Sequence, residues 1–298
     1  MVSDLIDRVC SPLRDGLARA LTRAGVRPNH VTVAGMLLTI GVGVALAAGK
    51  EHWRTWGLGL MVGAGACDLL DGAMAKLGDL RTRFGAVLDS TCDRVSDAAL
   101  YLGPAFHFIL QPDGPAYPSW RAASIWGAFS PTGMDVFSPT SAVSFSPCVV
   151  AAPNLTLIFL ALAGLVWAYL ISYIRSRSEN EAVDGGGGFW QRPERVVTAL
   201  VGMAFLHLST ALWILGTLPI ATVAHRLCRA RRSCRAVDTG ADAKVEGWPS
   251  GLAAVVLWRW PRGTLEFDLQ AGAVIAILVF WDIPPVDPLR DVVGLLFG

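Results

Sequence analysis

The chain has 298 residues, of which 53% are hydrophobic and only 16% are charged. That balance is too apolar for an ordinary soluble domain and indicates a polytopic membrane protein. The formal net charge of +1 leaves no basic footprint for nucleic acid, and the six cysteines lack the spacing of a metal site, a redox motif or a disulfide framework.

Residues 1–27 contain no apolar core of signal-peptide form. Leu5, Val9, Leu13, Leu17 and Leu21 instead recur every four residues among Asp7, Arg8, Arg14, Asp15, Arg19 and Arg23. The pattern predicts an amphipathic juxtamembrane helix lying on the membrane surface; the plainer alternative is a soluble helix packed on a domain. Pro28-Asn29-His30-Val31-Thr32 then opens a first apolar run over residues 31–49, where Pro suits a helix start and Asn or Thr can cap. His30 is expected to pack or hydrogen-bond there.

A second span is predicted over 55–75 and a third over 86–110. Residues 111–147 are rich in Pro, Ser, Gly and Trp without periodicity and read as an atypical loop insertion. A fourth span covers 150–174; the sequon Asn154-Leu155-Thr156 is discounted because it lies at an apolar segment. The Gly-rich link 185–188 leads to Gln191-Arg192-Pro193-Glu194-Arg195, and an apolar stretch over 196–224 ends in a basic run from His225. That stretch fits two short helices turned near His207 or Gly216, or one long helix. Residues 28–235 thus form the membrane domain, and 236–298 an unassigned tail whose apolar pieces, 248–260 and 271–281, are each short for a bilayer crossing. Lys and Arg cluster in the N-terminal segment, at 76–83, between Arg175 and Arg195 and after His225, which places all four regions on the cytoplasmic side.

The chemistry concentrates in one stretch. Asp68-Leu-Leu-Asp71-Gly72-Ala-Met-Ala75-Lys76 is followed, after eight residues, by Gly85-Ala-Val-Leu-Asp89-Ser-Thr-Cys-Asp93. Helix periodicity puts Asp68 with Asp71 on one face, and Gly85, Asp89 and Asp93 on another. Four carboxylates converging near a membrane need compensation, and hard oxygen donors suit Mg²⁺, Mn²⁺ or Ca²⁺ rather than zinc. Cys67 and Cys92 read as small packing residues. The bland alternative has these aspartates capping helices or pairing with Arg81, Arg83 and Arg94.

On these residues the chain resembles the CDP-alcohol phosphatidyltransferases, whose pattern D-x-x-D-G-x-x-A-R, eight residues, G-x-x-x-D-x-x-x-D it matches except that Lys76 stands in place of Arg. The resemblance implies an all-α fold of about six transmembrane helices, a homodimer, and an active site on the cytoplasmic side of the cell membrane. It implies phosphatidyl transfer from CDP-diacylglycerol to an alcohol with release of CMP, assisted by two Mg²⁺ or Mn²⁺ ions. By the same resemblance Asp68, Asp71, Asp89 and Asp93 bind metal, and Asp93 is also the base. Asn29, Thr32, Gly72, Lys76 and Thr82 contact CDP-diacylglycerol. Lys76 keeps the charge of the family Arg without its bidentate fork, so weaker nucleotide binding is expected. Gly85 is equally explained by tight helix packing.

For the acceptor, three stretches resemble the actinobacterial phosphatidylinositol-phosphate synthases within the family: residues 82–89, Ile171-Ser172-Tyr173-Ile174, and the Gly-rich link into Arg192-Pro193-Glu194-Arg195. That likeness implies inositol 1-phosphate as acceptor, with Ser172, Arg175, Arg195 and Arg226 binding its phosphate. Arg175 stands where those relatives have Lys. The plain alternative for these arginines is topology and lipid-headgroup contact. Other readings are the same chemistry on glycerol 3-phosphate, a divalent-cation transporter or binding protein, and an inactive relative.

Overall fold

The computed structural model describes residues 2–49, 51–110, 154–205, 207–239, 264–281, 283 and 287–289. Among them every regular element is helical: α1 (Val2–Arg23), α2 (Pro28–Ala48), α3 (Glu51–Leu77), α4 (Arg83–Leu110), α5 (Leu155–Asn180), α6 (Arg192–Ala204), α7 (Leu208–Thr217), α8 (Pro219–Thr239) and α9 (Leu265–Phe280). The predicted loop 111–147 and the apolar stretch 248–260 lie outside the described residues. Among the described residues, four segments are long and apolar enough to cross a membrane: Pro28–Ala48, Thr55–Leu77, Leu155–Asn180 and Leu208–Arg235.

The packing follows from small residues where helices cross. At Gly43 an added Cβ would lie 2.5 Å from the carbonyl oxygen of Ala99, and at Gly103 it would lie 2.6 Å from that of Gly43. The backbones of α2 and α4 therefore touch, the close approach that lets apolar helices associate without a hydrophobic driving force between them. Pro28 starts α2 where its missing N–H costs nothing, and Gly49 ends it in the left-handed conformation (φ 64°). Asn154 caps α5 by accepting the Leu157 N–H at 3.0 Å, so the sequon asparagine has a structural task.

Along α1, Ala18 is fully buried, and Leu21 packs with Val26, Val31, Leu70 and Met74. Leu13 and Leu17 of the same leucine row remain exposed, at 78% and 48%. One end of that row thus serves the bundle while its middle faces outward. The side chains of Leu5 and Val9 lie outside the described set.

The 196–224 stretch divides near His207, one of the two expected places, and not near Gly216. At the division the His207 N–H closes onto Gly202 O at 2.9 Å. At Leu218 the dihedrals stay right-handed helical (φ −66°, ψ −32°), so α7 runs on into α8. α6 has 13 residues, about 20 Å of helix. It pairs with the first half of the longer α7–α8 rod.

The tail is part of this architecture. α9 packs on α6 and sets Phe267 against Phe189 at 5.2 Å between ring centroids. At its other end Leu278 O meets His207 Nδ1 at 2.6 Å, and Thr210 Oγ1 donates to Trp281 O at 3.0 Å. Beyond it, the Asp287 carboxylate accepts the Leu155 and Thr156 N–H groups at the start of α5, at 3.0 and 2.9 Å. A segment without an assigned role in the sequence thus closes the open side of the α6–α7 hairpin.

Candidate active site

The end of α3 and the start of α4 bring the aspartates together. Asp68, Asp89 and Asp93 place carboxylate oxygens within 4.8 Å of one another. Asp71 turns toward α2, where the Thr32 hydroxyl donates to its Oδ2 at 2.6 Å. Three of the four expected ligands therefore converge, and the fourth stands beside them, tied to a residue expected at the nucleotide. An all-carboxylate donor set of this kind fits a hard divalent cation, and among the described residues no thiol or imidazole belongs to the converging group.

The positive partner is not one the sequence suggested. Arg192, at the start of α6, reaches Asp68 Oδ1 at 2.5 Å and Asp93 Oδ1 at 2.8 Å through Nη1. Arg94 instead turns back to the carbonyl of Ser90, and Arg81 and Arg83 are exposed. One guanidinium offsets the like-charge repulsion between two helices.

The expected nucleotide residues surround the same end. Gly72 faces open space: an added Cβ would have no neighbour within 4 Å. This fits close approach by a ligand and argues against a packing role. Gly85 is the reverse, since its Cβ would lie 2.9 Å from Thr82 Oγ1 and 3.2 Å from Asn29 Oδ1. Its smallness lets two expected nucleotide contacts, Asn29 and Thr82, come together, and its own N–H donates to Thr82 Oγ1 at 2.9 Å. Lys76 is exposed on the last turn of α3.

The carboxylates, on α3 and α4, and Ser172, Arg175, Arg195 and Arg226, on α5, α6 and α8, line one cavity of about 1000 Å³, as its acidic and basic walls. The three arginines are held differently. Arg175 is exposed and pairs with Glu179 at 2.9 Å. Arg195 is only 1% exposed; it donates to Asp97 Oδ2 at 2.7 Å and to Trp190 O at 3.1 Å. Arg226, 3% exposed, donates to the carbonyls of Gly187 and Ile171 at 2.9 and 2.5 Å and makes no salt bridge among the described residues. Arg177 pairs outside this group, with Glu181 at 2.6 Å.

The Gly-rich link makes the Arg226 anchor possible. Gly187 and Gly188 have φ of 88° and 90°, a region that L side chains avoid. A Cβ on Gly188 would also run into Thr222. Asp184 braces the link: burial opposes its ionisation, but the Gly186 N–H and the Arg229 guanidinium outweigh that and hold its carboxyl below the usual carboxylate range. Asp97 and Glu179 are the residues that sequence reasoning missed. Asp97 was within reach of it, lying one helical turn beyond Asp93 on the Asp89–Asp93 row.

Helices of membrane-spanning length, a carboxylate cluster suited to a divalent cation and a cluster of guanidinium groups suited to anions define the class: a helical membrane protein with both kinds of group at one cavity. The family model of the CDP-alcohol phosphatidyltransferases matches residues 26–224, and the chain belongs to that family. It is 33% identical over 231 residues to the phosphatidylinositol phosphate synthase of Mycolicibacterium smegmatis, covering 74% of this chain and 85% of the relative. It is 31% identical over 246 residues to that of Mycobacteroides abscessus, covering 80% and 92%. Among solved structures it resembles the Mycobacterium tuberculosis phosphatidylinositol phosphate synthase in complex with manganese and citrate, with TM-score 0.56, 28% identity and coverage of 76% of this chain and 92% of that one. It also resembles the same enzyme with CDP-DAG bound, with TM-score 0.54, 26% identity and coverage of 80% and 100%.

Proposed function

We propose that the protein transfers the phosphatidyl group of CDP-diacylglycerol to inositol 1-phosphate, giving phosphatidylinositol phosphate and CMP. The observation that carries this reading is the shared cavity, with carboxylates on one wall and three arginines with Ser172 on the other. A nucleophilic hydroxyl between those walls would lie beside a base, and its phosphate beside fixed cations. The names of the relatives and the CDP-DAG and manganese held by the M. tuberculosis enzyme support the same assignment.

In this reading Asp93 accepts the proton of the attacking hydroxyl. The oxygen bonds to the phosphorus that carries diacylglycerol, and the pyrophosphate P–O bond to CMP breaks. Arg226 and Arg195 hold the acceptor phosphate with Ser172, and Arg175 closes over it from the exposed rim. Asp68, Asp71, Asp89 and Asp93 would hold two Mg²⁺ or Mn²⁺ ions, which would supply charge neutralisation on the pyrophosphate. Gly72 leaves room for the nucleotide, flanked by Asn29, Thr32, Lys76 and Thr82.

The reading includes a topology. α2, α3, α4, α5, α6 and the α7–α8 rod form six traverses of the cell membrane in residues 28–235, α1 lies on its surface, and the site opens to the cytoplasm. The basic segments gathered at that end support this orientation, and family likeness supports a homodimer.

Purified protein given CDP-diacylglycerol and Mg²⁺ is expected to release CMP with inositol 1-phosphate and not with free inositol. Turnover with glycerol 3-phosphate instead would keep the aspartate chemistry and overturn the acceptor. Absence of turnover with every acceptor, from folded protein, would overturn the enzymatic reading in favour of cation binding or an inactive relative.

A further inference from the structure

α4 and α6 make little backbone contact, so long side chains join them. Two of these pairings are one helical turn apart: Arg192 with Asp93 at 2.8 Å, and Arg195 with Asp97 at 2.7 Å. The outer rung faces the carboxylate cluster. The inner rung is buried on both sides, with Asp97 4% and Arg195 1% exposed. A buried carboxylate beside a guanidinium is costly to assemble and costly to break, which makes it a poor general stabiliser but a strong fixer of position.

The hydrogen bonds of Arg195 show what is being fixed. Nη2 goes to Asp97 and Nη1 to Trp190 O, so both ends of the fork are oriented from behind. Nε has no partner among the described residues, and the side chain still lines the large cavity. A guanidinium has five N–H donors in a rigid plane; pinning two of them decides where the others point. Arg226 reaches the same wall through two backbone carbonyls and makes no salt bridge among the described residues. Its task needs charge, whereas the task of Arg195, already neutralised, needs direction.

We infer that Asp97 is a positioning residue for the acceptor: it aims the Arg195 guanidinium at the phosphate of a phosphorylated acceptor without touching substrate. The inference rests on the proposed acceptor site and adds to it a residue from α4, the helix that also carries two of the expected metal ligands.

The test is Asp97→Asn, which preserves shape and one acceptor oxygen but removes the charge. Steady-state kinetics are measured separately against inositol 1-phosphate and CDP-diacylglycerol, alongside thermal unfolding in the same detergent. The acceptor KM is expected to rise roughly ten- to hundredfold, the scale of one charge-assisted hydrogen bond. The KM for CDP-diacylglycerol should stay within about twofold, because no nucleotide contact in this reading passes through Arg195. A folded variant with an unchanged acceptor KM, or with both KM values raised together, would overturn the inference and leave the pair structural. Should Asp97→Asn fail to fold, Arg195→Lys carries the test: it keeps a cation beside Asp97 but loses the fork, and the same selective rise is expected. Failure of the proposed reaction looks different, because wild-type protein would then not turn over inositol 1-phosphate. If it used glycerol 3-phosphate, the same KM comparison would be made with that acceptor.

Discussion

The two walls of the cavity are built on opposite principles. The acidic wall comes from one contiguous segment, the end of α3 and the start of α4, and three of its four carboxylates gather with Arg192 bridging two of them. The basic wall is assembled from α5, α6 and α8, and two of its arginines are buried and fixed by backbone carbonyls or by Asp97. Carboxylates that await a divalent cation gain their compensation from the ligand. Buried guanidinium groups have to be paired or hydrogen-bonded by the protein itself, because a buried charge left unpaired is costly.

The largest expected effect breaks the acidic wall. Asp93→Asn should lower turnover by roughly 10²- to 10⁴-fold, the range for loss of a general base, with CMP release as the measure. Chelation by EDTA should abolish turnover, and added Mg²⁺ or Mn²⁺ should restore it, which separates loss of metal from loss of fold. On the basic wall, Arg226→Gln leaves the carbonyls of Ile171 and Gly187 without their charged donor. That should raise the acceptor KM by about tenfold or more and lower stability by about 1–3 kcal/mol. Away from both walls, Thr210→Val removes the hydroxyl that donates to Trp281 O and accepts from the Ile283 N–H. It should lower the melting temperature through loss of about 1–3 kcal/mol while leaving both KM values unchanged. Smallest of all, Lys76→Arg restores the family residue at an exposed site and should lower the KM for CDP-diacylglycerol by no more than about fivefold, the ceiling of an exposed charge contact. A larger gain would mean that Lys76 meets the nucleotide in a more enclosed setting than free α3 shows.

The contrast between the walls also explains what can be read from sequence. Helix periodicity and the short link between two helices are enough to bring Asp68, Asp89 and Asp93 to one place, so their convergence is legible in the amino-acid pattern alone. The same periodicity groups Asp71 with them, but it says nothing about Thr32 on a neighbouring helix, which draws that carboxylate aside. The basic wall depends on contacts between distant positions: Arg195 and Asp97 are 98 residues apart, and Arg226 and Ile171 are 55 apart. A resemblance can point to those arginines, but local pattern cannot say which are buried or what neutralises them. In sequence Arg192 reads equally well as a simple topology charge, because its partners lie on helices far away along the chain. The turn near His207 follows from helix-length limits, whereas α9 has no such signal. Its 16 residues fall short of a comfortable span, and its role depends on filling a gap beside α6 that only the assembled bundle has.

α9 has a consequence for the order in which the molecule is completed. A chain emerges from the ribosome from its N-terminus, so the α6–α7 hairpin is made before the residues that cover it. His207 and Thr210 meet partners 71 positions later in the chain, and the N-terminus of α5 meets Asp287 across more than 130. During that interval these polar groups have none of those partners, in surroundings where an unsatisfied group costs several kcal/mol. Water or the insertion machinery must serve them until α9 arrives. The hairpin is therefore covered long after it is made, and a ribosome that stops before residue 264 releases a hairpin whose inner polar groups still need water.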